Sequence, residues 1–284
     1  VGEQGGFAAA SRKLNISPAA VTRAVVGLEE QLGVQLLQRT TRSVRFTDAG
    51  YRYYDDARAI LLSIAEANEA ASGLNAEPRG TLTVTAPVLF GRMFVMPSII
   101  EYMQRYPQVK VAAHFVDRVT NLVEEGMDVA IRIGNLPDSS LRAAKVGQVR
   151  RVLCASPAYL DAHGVPQTPA DLLQHSLVVL NAMSPRIEWG FGGNDELLQV
   201  EPRLLVTSND AALSAAVGGL GIARLLSYQV RSEVERGNLR LLLETFEEDP
   251  WPVHVVHREE RYGSAKVRNF IDLIVERLRF HPHL

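Results

Sequence analysis

Residues 15–33 read NISPAAVTRAVVGLEEQLG, and this stretch decides how the N-terminal part of the chain folds. Ser17 is a good helix N-cap and Pro18 suits the first helical position, so a helix is predicted to begin here. Gly33 supplies the left-handed residue that ends a helix. Residues 7–14, FAAASRKL, predict a shorter helix just before it. The pattern is therefore a helix, a tight turn and a second helix.

The second helix has two unlike faces. At about 100° per residue, four apolar residues share one narrow face that must pack inward: Val21, Val25, Leu28 and Leu32. The opposite side carries Ala19, Thr22, Arg23 and Val26. A small residue allows close approach to another surface, and an arginine can form paired hydrogen bonds to guanine or to a phosphate. This favours a helix-turn-helix whose exposed half meets DNA; the alternative is a helical hairpin with a solvated outer face.

Residues 36–47, LLQRTTRSVRFT, carry three arginines and no acidic residue. Val44 and Phe46 alternate with Arg45 and Thr47, which predicts a β-hairpin. A basic hairpin after a helix-turn-helix is a wing that lies along phosphates or enters a minor groove. The alternative is a solvated basic loop. The predicted DNA-binding residues are Ser17, Pro18, Ala19, Thr22 and Arg23 on the helix and Arg39, Thr40 and Arg42 on the wing.

Residues 48–72 predict one long helix, with Thr47 or Asp48 as its cap. Apolar and small residues recur along it at alternating spacings of four and three. They are Tyr53, Ala57, Ile60, Ile64, Ala67, Ala71 and Leu74. Such a heptad pattern suits pairing with another helix, and the small residues allow close approach. The alternative is a helix that packs on its own domain. The turn residues of NAEPRG, 75–80, indicate a linker.

The remainder of the chain alternates strand and helix patterns. Residues 80–87 read as a strand, 94–105 as a helix, 109–115 as a strand, 119–125 as a helix and 128–133 as a strand. This order predicts a largely parallel sheet with helices on both faces. Ligands on such sheets bind at the carboxyl ends of the strands.

The candidate effector-binding residues lie at those strand ends and at a helix start. They are Thr85, Pro87, Val88, Arg132, Gly134, Ser208, Asn209 and Asp210. Helix N-termini offer free backbone N–H groups and a positive dipole end, so an anionic or polar metabolite is expected. The alternative is that Ser208, Asn209 and Asp210 only cap a helix and that Arg132 only forms a salt bridge.

Composition limits the function classes. The chain has 284 residues, 46% of them hydrophobic, and a formal net charge of −2, which fits two globular domains rather than a protein that coats nucleic acid throughout. The single cysteine, Cys154, lies in an apolar strand pattern, so we expect a buried core residue and a reducing compartment. Neither a membrane span nor a secretory signal is predicted, and the N-terminus is expected to be truncated. The sequence motifs predict no catalytic residues, no metal site and no bound cofactor.

Residues 7–50 resemble the winged helix-turn-helix of LysR-type transcriptional regulators. The matching positions are Leu14, the entry from Ser17 to Thr22, Leu28-Glu29, Leu32-Gly33, Leu36, Arg39, Thr47 and Gly50. Two positions depart from that pattern. Pro18 replaces a residue that is often polar in the family, which puts one polar DNA contact in doubt. Leu37 replaces a frequent phenylalanine, a core exchange that should be tolerated.

The later stretches PSIIEYMQRYPQVKV, LVEEGMDVAIRIG and CASPAYL resemble the effector-binding domain of the same family. The resemblance implies a multidomain α+β and α/β protein. Residues 1–47 would form the DNA-binding domain, 48–79 a dimerisation linker helix and hinge, and 80–284 an effector-binding domain of the type 2 periplasmic-binding-protein fold. Subdomain I would comprise 80–156 and 258–284, and subdomain II would comprise 157–257.

The function implied by the resemblance is that of a cytoplasmic, ligand-responsive regulator of transcription. Its partners would be double-stranded DNA at an inverted-repeat promoter site, further copies of the chain in a homodimer or homotetramer, a small-molecule co-inducer and RNA polymerase, with no membrane. The rival class is a solute-binding protein of a transport system, which predicts a signal peptide and no basic wing. A cleft enzyme is a weaker rival.

Overall fold

A computed structural model describes residues 1–2, 4–39, 44–71, 77–137, 140–180, 187–192, 194–259, 264–282 and 284. The chain divides into two compact units, Val1–Gly73 and Leu74–Leu284. Among the described residues, none of the helices combines the length and the apolar character that crossing a lipid bilayer requires.

The first unit follows the helix, turn and helix pattern of the sequence. Its elements are α1 (Phe7–Leu14), α2 (Pro18–Leu32), β1 (Leu37–Arg39), β2 (Val44–Phe46) and α3 (Asp48–Ala71). Asn15 ends α1 in the left-handed region at φ 52°, and Gly33 ends α2 at φ 65°. The Ser17 hydroxyl accepts the N–H of Ala20 at 3.2 Å, which confirms the predicted N-cap of α2.

The start of α3 is joined to the segment that precedes the hairpin. The Thr47 N–H donates to the Leu36 carbonyl at 2.9 Å, and the Thr47 hydroxyl donates to the Gln35 carbonyl at 2.7 Å. The same hydroxyl accepts the N–H of Gly50 at 2.9 Å. A Cβ on Gly50 would lie 1.9 Å from the Leu36 carbonyl oxygen. Glycine at position 50 is therefore what lets the first turn of α3 lie against this backbone.

The second unit contains two five-stranded sheets and a separate hairpin. Its strands are β3 (Gly80–Ala86), β4 (Val109–Phe115), β5 (Val129–Ile133), β6 (Leu141–Val149), β7 (Arg151–Ala155), β8 (Leu177–Leu180), β9 (Ile187–Phe191), β10 (Asn194–Val200), β11 (Leu204–Val206), β12 (Ile222–Leu226), β13 (Arg240–Leu242) and β14 (Trp251–Arg258). Its helices are α4 (Val88–Phe90), α5 (Met96–Arg105), α6 (Pro157–His163), α7 (Asn209–Val217), α8 (Ser227–Glu235) and α9 (Ala265–Arg279). A π-helical turn, Gly91–Val95, joins α4 to α5.

Each sheet has its own order and core. The first sheet runs β4-β3-β5-β14-β6, with β3 parallel to β4 and β5, and with β14 antiparallel to β5 and β6. The second sheet runs β11-β8-β12-β7-β13, with β8 parallel to β11 and β12, and with β7 antiparallel to β12 and β13. Residues of α5 and α9, among them Tyr102 and Phe270, bury the first sheet's core. The largely parallel sheet of the prediction is thus a mixed sheet.

The chain crosses between the sheets one strand away from each predicted boundary. The boundary at 156/157 would leave β7 in subdomain I, yet β7 pairs with β12 and β13 of the second sheet. The boundary at 257/258 would leave β14 in subdomain II, yet β14 pairs with β5 and β6 of the first sheet. The crossings are at Arg150 and at residues 247–250. The sequence pattern misplaced them because an apolar strand reads alike in either buried sheet.

The helix predicted at 119–125 is not formed. Residues 122–126 form a turn instead, and Gly126 ends it at φ 66°. Side chains supply the hydrogen bonds that a helix would otherwise make: the Asn121 amide oxygen accepts the N–H of Val123 at 3.0 Å, and the Glu125 carboxylate accepts the N–H of Asn121 at 3.1 Å. Such local side-chain bonds compete with helix formation.

We expect Gly50→Ala to destabilise the first unit by about 2–4 kcal/mol, because the added methyl group meets a backbone carbonyl that cannot move freely. Thermal denaturation followed by circular dichroism measures the loss. Gly27→Ala is the matched control: a Cβ there meets nothing within 4 Å, and alanine in a helix interior should stabilise by about 0.5–1 kcal/mol. Equal melting behaviour of the two variants would contradict the packing described for Gly50.

Candidate nucleic-acid interface and effector cleft

The first turns of α2 present the predicted DNA-binding face to solvent. Ser17, Pro18, Ala19 and Arg23 are exposed, and Thr22 is half-buried. The Thr22 hydroxyl donates to the Pro18 carbonyl at 3.0 Å, which leaves its oxygen lone pairs available as acceptors. The five residues therefore share one accessible surface at the N-terminal end of the helix.

The inner face of α2 is buried only over part of its length. Val21 is 3% exposed, Val25 and Leu28 are half-buried, and Leu32 is 41% exposed. The expectation that all four residues pack inward is thus wrong for Leu32. At 1.5 Å per residue α1 is about 12 Å long and α2 about 22 Å, so the shorter helix cannot cover the last turn of the longer one.

Glu29 connects α2 to the wing, a role that the sequence analysis did not assign. One oxygen of its carboxylate, Oε1, accepts the N–H groups of Leu36 and Leu37 at 2.8 and 3.0 Å. Leu37 is the first residue of β1, so this carboxylate fixes where the hairpin leaves the helix. A signal existed in the sequence, because Glu29 was part of the matched family pattern.

The wing itself is an antiparallel hairpin, as predicted. β1 and β2 pair in the register Leu37↔Phe46, Gln38↔Arg45 and Arg39↔Val44. Phe46 packs its ring on Tyr51 and Tyr54 at 4.9 and 5.1 Å, which holds β2 against α3. Arg39 is the last residue of β1, and its side chain is outside the described part. Thr40 and Arg42 lie outside the described residues altogether.

The predicted dimerisation residues all lie on α3. Ile60 is 60% exposed and Ile64 is 52% exposed, whereas Tyr53 and Ala57 are half-buried. Ala67 and Ala71 are helical, but their side chains are outside the described part. Large apolar side chains this exposed mark a surface that suits a protein partner.

Two predicted effector residues are brought together by a third that the sequence analysis missed. Val88, at the start of α4, donates its N–H to the Asp117 carboxylate at 2.9 Å. The side-chain amide of Asn209, at the start of α7, lies 3.5 Å from the other carboxylate oxygen. Asp117 follows β4 directly, so its position after a strand end was the available signal. Because α4 packs with the first sheet and α7 with the second, Asp117 connects elements that belong to different sheets.

The other predicted residues have separate surroundings. Thr85 is fully buried, and its hydroxyl has no hydrogen-bond partner among the described residues. The Arg132 guanidinium donates to the Thr120 carbonyl at 2.6 Å, so it anchors a loop rather than joining Asp117. Burial lowers the Arg132 pKa, and Glu125 opposes this.

Around α7, Ser208 caps the helix by accepting the N–H of Ala211 at 3.4 Å, and Asp210 is exposed in its first turn. Pro87 precedes α4 and is half-buried. The start of α7, which was predicted to attract an anion, thus already contacts the Asp117 carboxylate through Asn209.

Gly134 leads to a second group of residues, where the chain crosses between the sheets. Its N–H donates to the Pro252 carbonyl at 2.9 Å, and a Cβ at position 134 would lie 3.8 Å from the Trp251 ring. The Arg151 guanidinium lies over the ring of Trp251, 4.3 Å from the ring centroid. Glu248 forms ion pairs with Arg151 and with Arg224. We call Arg151, Arg224, Glu248, Trp189, Phe191 and Trp251 the crossover cluster.

The single cysteine of the sequence lies in the core of the second unit. Cys154 is fully buried, its Sγ lies 3.7 Å from the Ala223 carbonyl, and burial raises the thiol pKa to about 12. A thiol with so high a pKa is a poor nucleophile, which agrees with its predicted place in the core. Within the described part of the chain, the structure groups no three histidine, cysteine, aspartate or glutamate residues in a way that would hold a metal ion.

Family models match both units. The model of the bacterial regulatory helix-turn-helix protein, lysR family, covers residues 1–51, and that of the LysR substrate binding domain covers residues 75–279. An uncharacterized HTH-type transcriptional regulator of Haemophilus influenzae is 36% identical over 264 residues, which are 92% of this chain and 91% of its own.

Solved structures agree over nearly the whole chain. Full-length AphB, described as a Vibrio cholerae virulence activator, is 28% identical with a TM-score of 0.66, over 97% of this chain and 95% of its own. CrgA, a LysR-type transcriptional regulator from Neisseria meningitidis, is 30% identical with a TM-score of 0.65, over 97% and 95%.

The chain belongs to the LysR family of transcriptional regulators. It is a DNA-binding regulator of transcription with an N-terminal helix-turn-helix and an effector-binding domain. Its relatives are transcriptional regulators and not solute-binding proteins of transport systems, which removes the rival class raised by the sequence.

We expect Glu29→Ala to loosen the base of the wing. Without the carboxylate, two backbone N–H groups lose their acceptor, at a cost of about 1–3 kcal/mol. Hydrogen–deuterium exchange of peptides that contain Leu36 and Leu37 should therefore be faster by about 5- to 150-fold. Glu30→Ala, an exposed neighbour on the same helix, serves as the control and should leave this exchange unchanged. Equal protection in both variants would show that Glu29 does not hold the wing.

Proposed function

We propose that α2 of this regulator reads bases in the major groove and that the wing contacts the DNA backbone or the minor groove. Ser17, Pro18, Ala19, Thr22 and Arg23 carry the base-facing surface, and Arg39, Thr40 and Arg42 carry the wing contacts. The observation that supports this assignment best is the exposed N-terminal half of α2. Its solvent-facing side carries a small residue, Ala19, and an exposed arginine, Arg23. Helix-turn-helix proteins dock on DNA with that part of the recognition helix.

Two copies of the chain bind an inverted-repeat promoter site as a homodimer, or as a homotetramer of two such pairs. The paired surface is the row of Tyr53, Ala57, Ile60, Ile64, Ala67 and Ala71 on α3. Support comes from Ile60 and Ile64, whose side chains are more than half exposed although they are large and apolar. A two-fold axis would place two recognition helices about one helical turn of DNA apart, or a multiple of it.

A small-molecule co-inducer binds between the two sheets of the second unit and changes the arrangement of the copies on DNA. Support comes from Val88 and Asn209, which belong to elements of different sheets and both contact Asp117. For the ligand to act, it must bind one arrangement of the cleft more tightly than another. The regulator works in the cytoplasm and communicates with RNA polymerase at the promoter.

We expect Arg23→Ala to reduce preference for the cognate operator more than it reduces affinity for random DNA. A base contact by arginine contributes about 1–3 kcal/mol of discrimination, or about 5- to 150-fold. Titrations of both duplexes at the same salt concentration measure the ratio. Arg12→Ala, an exposed arginine of α1, is the control. An unchanged ratio in Arg23→Ala would argue against the base-facing assignment.

The double variant Arg39→Ala, Arg42→Ala should weaken binding to all sequences alike. Each lost phosphate contact lowers the slope of log affinity against log salt by about 0.9, so the slope should fall by about 1.8. The control removes two exposed arginines of the second unit, as Arg231→Ala with Arg236→Ala. If the slope of the wing variant equals that of the control, the wing does not contact phosphates.

A further inference from the structure

The crossover cluster lies where both connections between the two sheets of the second unit pass. Arg151 is the first residue of β7, and Trp251 is the first residue of β14. Glu248 lies in the connection between Phe246 and Trp251. A change at this cluster therefore acts directly on the two chain segments about which the sheets move relative to each other.

The cluster has more positive charge than its carboxylate neutralises. Arg151 and Arg224 both pair with the same oxygen, Oε2, of Glu248. Oε1 of Glu248 lies against Gly190, where a Cβ would be 2.5 Å away. Two guanidinium groups and one carboxylate leave a net charge of +1 among these described groups.

The two arginines are also short of hydrogen-bond acceptors. The Arg224 side chain is only 9% exposed, and its second amino group, NH2, donates to the Gly190 carbonyl at 2.7 Å and to Glu248 at 3.0 Å. Its first amino group, NH1, and the Nε of Arg151 are buried and have no partner among the described residues. Buried N–H groups of arginine need acceptors, so these two donors suit the oxygens of an anionic ligand.

The electrostatics agree with this shortage. Burial, together with repulsion from Arg151, lowers the pKa of Arg224 to about 10. Burial also lowers the pKa of Arg151. Both lowered pKa values mean that the charged guanidinium groups are less favourable here than in water. A second anion beside them would stabilise the charged forms.

The neighbouring surfaces are aromatic. Arg224 lies 5.6 Å from the centroid of Trp189 and 5.2 Å from that of Phe191, and Arg151 lies 4.3 Å from that of Trp251. Trp189 and Phe191 are themselves buried, at 6% and 9% exposure, whereas Trp251 is half-buried, so the ring of Trp251 is the one available to a flat apolar group attached to the anion. The Asp117 carboxylate at Val88 and Asn209 would repel an anion, so the carboxylate of a ligand bound between the sheets belongs at the arginines instead.

We propose that the crossover cluster binds the carboxylate of a small aromatic acid, with Arg151 and Arg224 as donors and Glu248 as the internal group that the ligand's carboxylate joins or displaces. The proposal rests on the proposed function in that it names the chemical class of the effector. It connects ligand binding to the two crossings, because Glu248 is part of one and Arg151 adjoins the other.

Tryptophan fluorescence tests the proposal directly, because both tryptophans of the chain, Trp189 and Trp251, belong to the cluster. The full chain is titrated at constant ionic strength with benzoate, with acetate, and with benzamide as an uncharged counterpart of benzoate. We expect a saturable change with benzoate, a weaker response to acetate and none to benzamide. Arg151→Gln should lose the benzoate response; Arg151 is chosen because it is more exposed than Arg224.

A second variant keeps the test independent of any folding defect in Arg151→Gln. Glu248→Gln leaves two buried guanidinium groups without their carboxylate, so this variant should melt at a lower temperature than the natural chain. Added benzoate should restore its melting temperature. The variant should also bind benzoate about tenfold more tightly than the natural chain, which corresponds to about 1.4 kcal/mol. Glu247→Gln is the control, since Glu247 pairs with the exposed Arg150 at 3.0 Å and should not be restored by benzoate.

The proposal is overturned if benzoate produces no saturable change in either the natural chain or Glu248→Gln, or if benzamide acts as benzoate does. Salt-sensitive binding of promoter DNA, measured on the same preparation, distinguishes a failure of the ligand assignment from a failure of the DNA-binding assignment. If DNA binding persists while the fluorescence stays silent, the ligand assignment alone fails. If benzoate binds while operator DNA is not retained, the DNA-binding assignment fails and the carboxylate site stands.

Discussion

The backbone of residues 35–37 is the point at which the three parts of the first unit are held together. The Glu29 carboxylate takes two of its N–H groups, and Thr47 and Gly50 meet its carbonyls from the start of α3. These contacts set the angle between recognition helix, wing and long helix before any DNA is present. Because base readout depends on such placement, this short segment would control where Arg23 and the wing, as proposed, reach DNA.

In the second unit the corresponding constraint lies at the two crossings. Consecutive arginines, Arg150 and Arg151, face consecutive glutamates, Glu247 and Glu248, so that each crossing is paired with the other. The two pairs differ in environment: the Arg150 side chain is 44% exposed and that of Arg151 is 26% exposed. The outer pair is screened by solvent and contributes little, whereas the inner one is sensitive to what binds beside it. A ligand bound at the inner pair, as proposed, would therefore act directly on both crossings.

Local rules predicted the first unit well. Ser17, Pro18 and Gly33 define the ends of α2 through cap chemistry, and the alternation around Val44 and Phe46 predicts the hairpin. These signals act over a few residues, so a sequence can be read for them directly. The family pattern then supplied the domain order, which periodicity alone would not have done.

Contacts between residues far apart in the sequence could not be predicted from local patterns. The sheet to which β7 and β14 belong, and the approach of Asp117 to Asn209 or of Arg151 to Arg224, depend on tertiary packing that no local pattern encodes. The prediction of a helix at 119–125 was wrong for a local reason. The side chains of Asn121 and Glu125 form hydrogen bonds with nearby backbone N–H groups, and these bonds favour a turn at 122–126. The assignment of effector-binding residues stays a prediction, and the charged residues Asp117, Arg151 and Arg224 were not part of it.

Cys154 gives the molecule an experimental advantage. It is the single cysteine of the sequence, lies in the interior of the second sheet and keeps its proton at any ordinary pH. The folded protein therefore offers thiol reagents almost no background. New cysteines introduced on either side of the cleft could carry a pair of fluorophores without removing the natural one, and the separation of the two lobes could be followed in single molecules as a candidate metabolite is added.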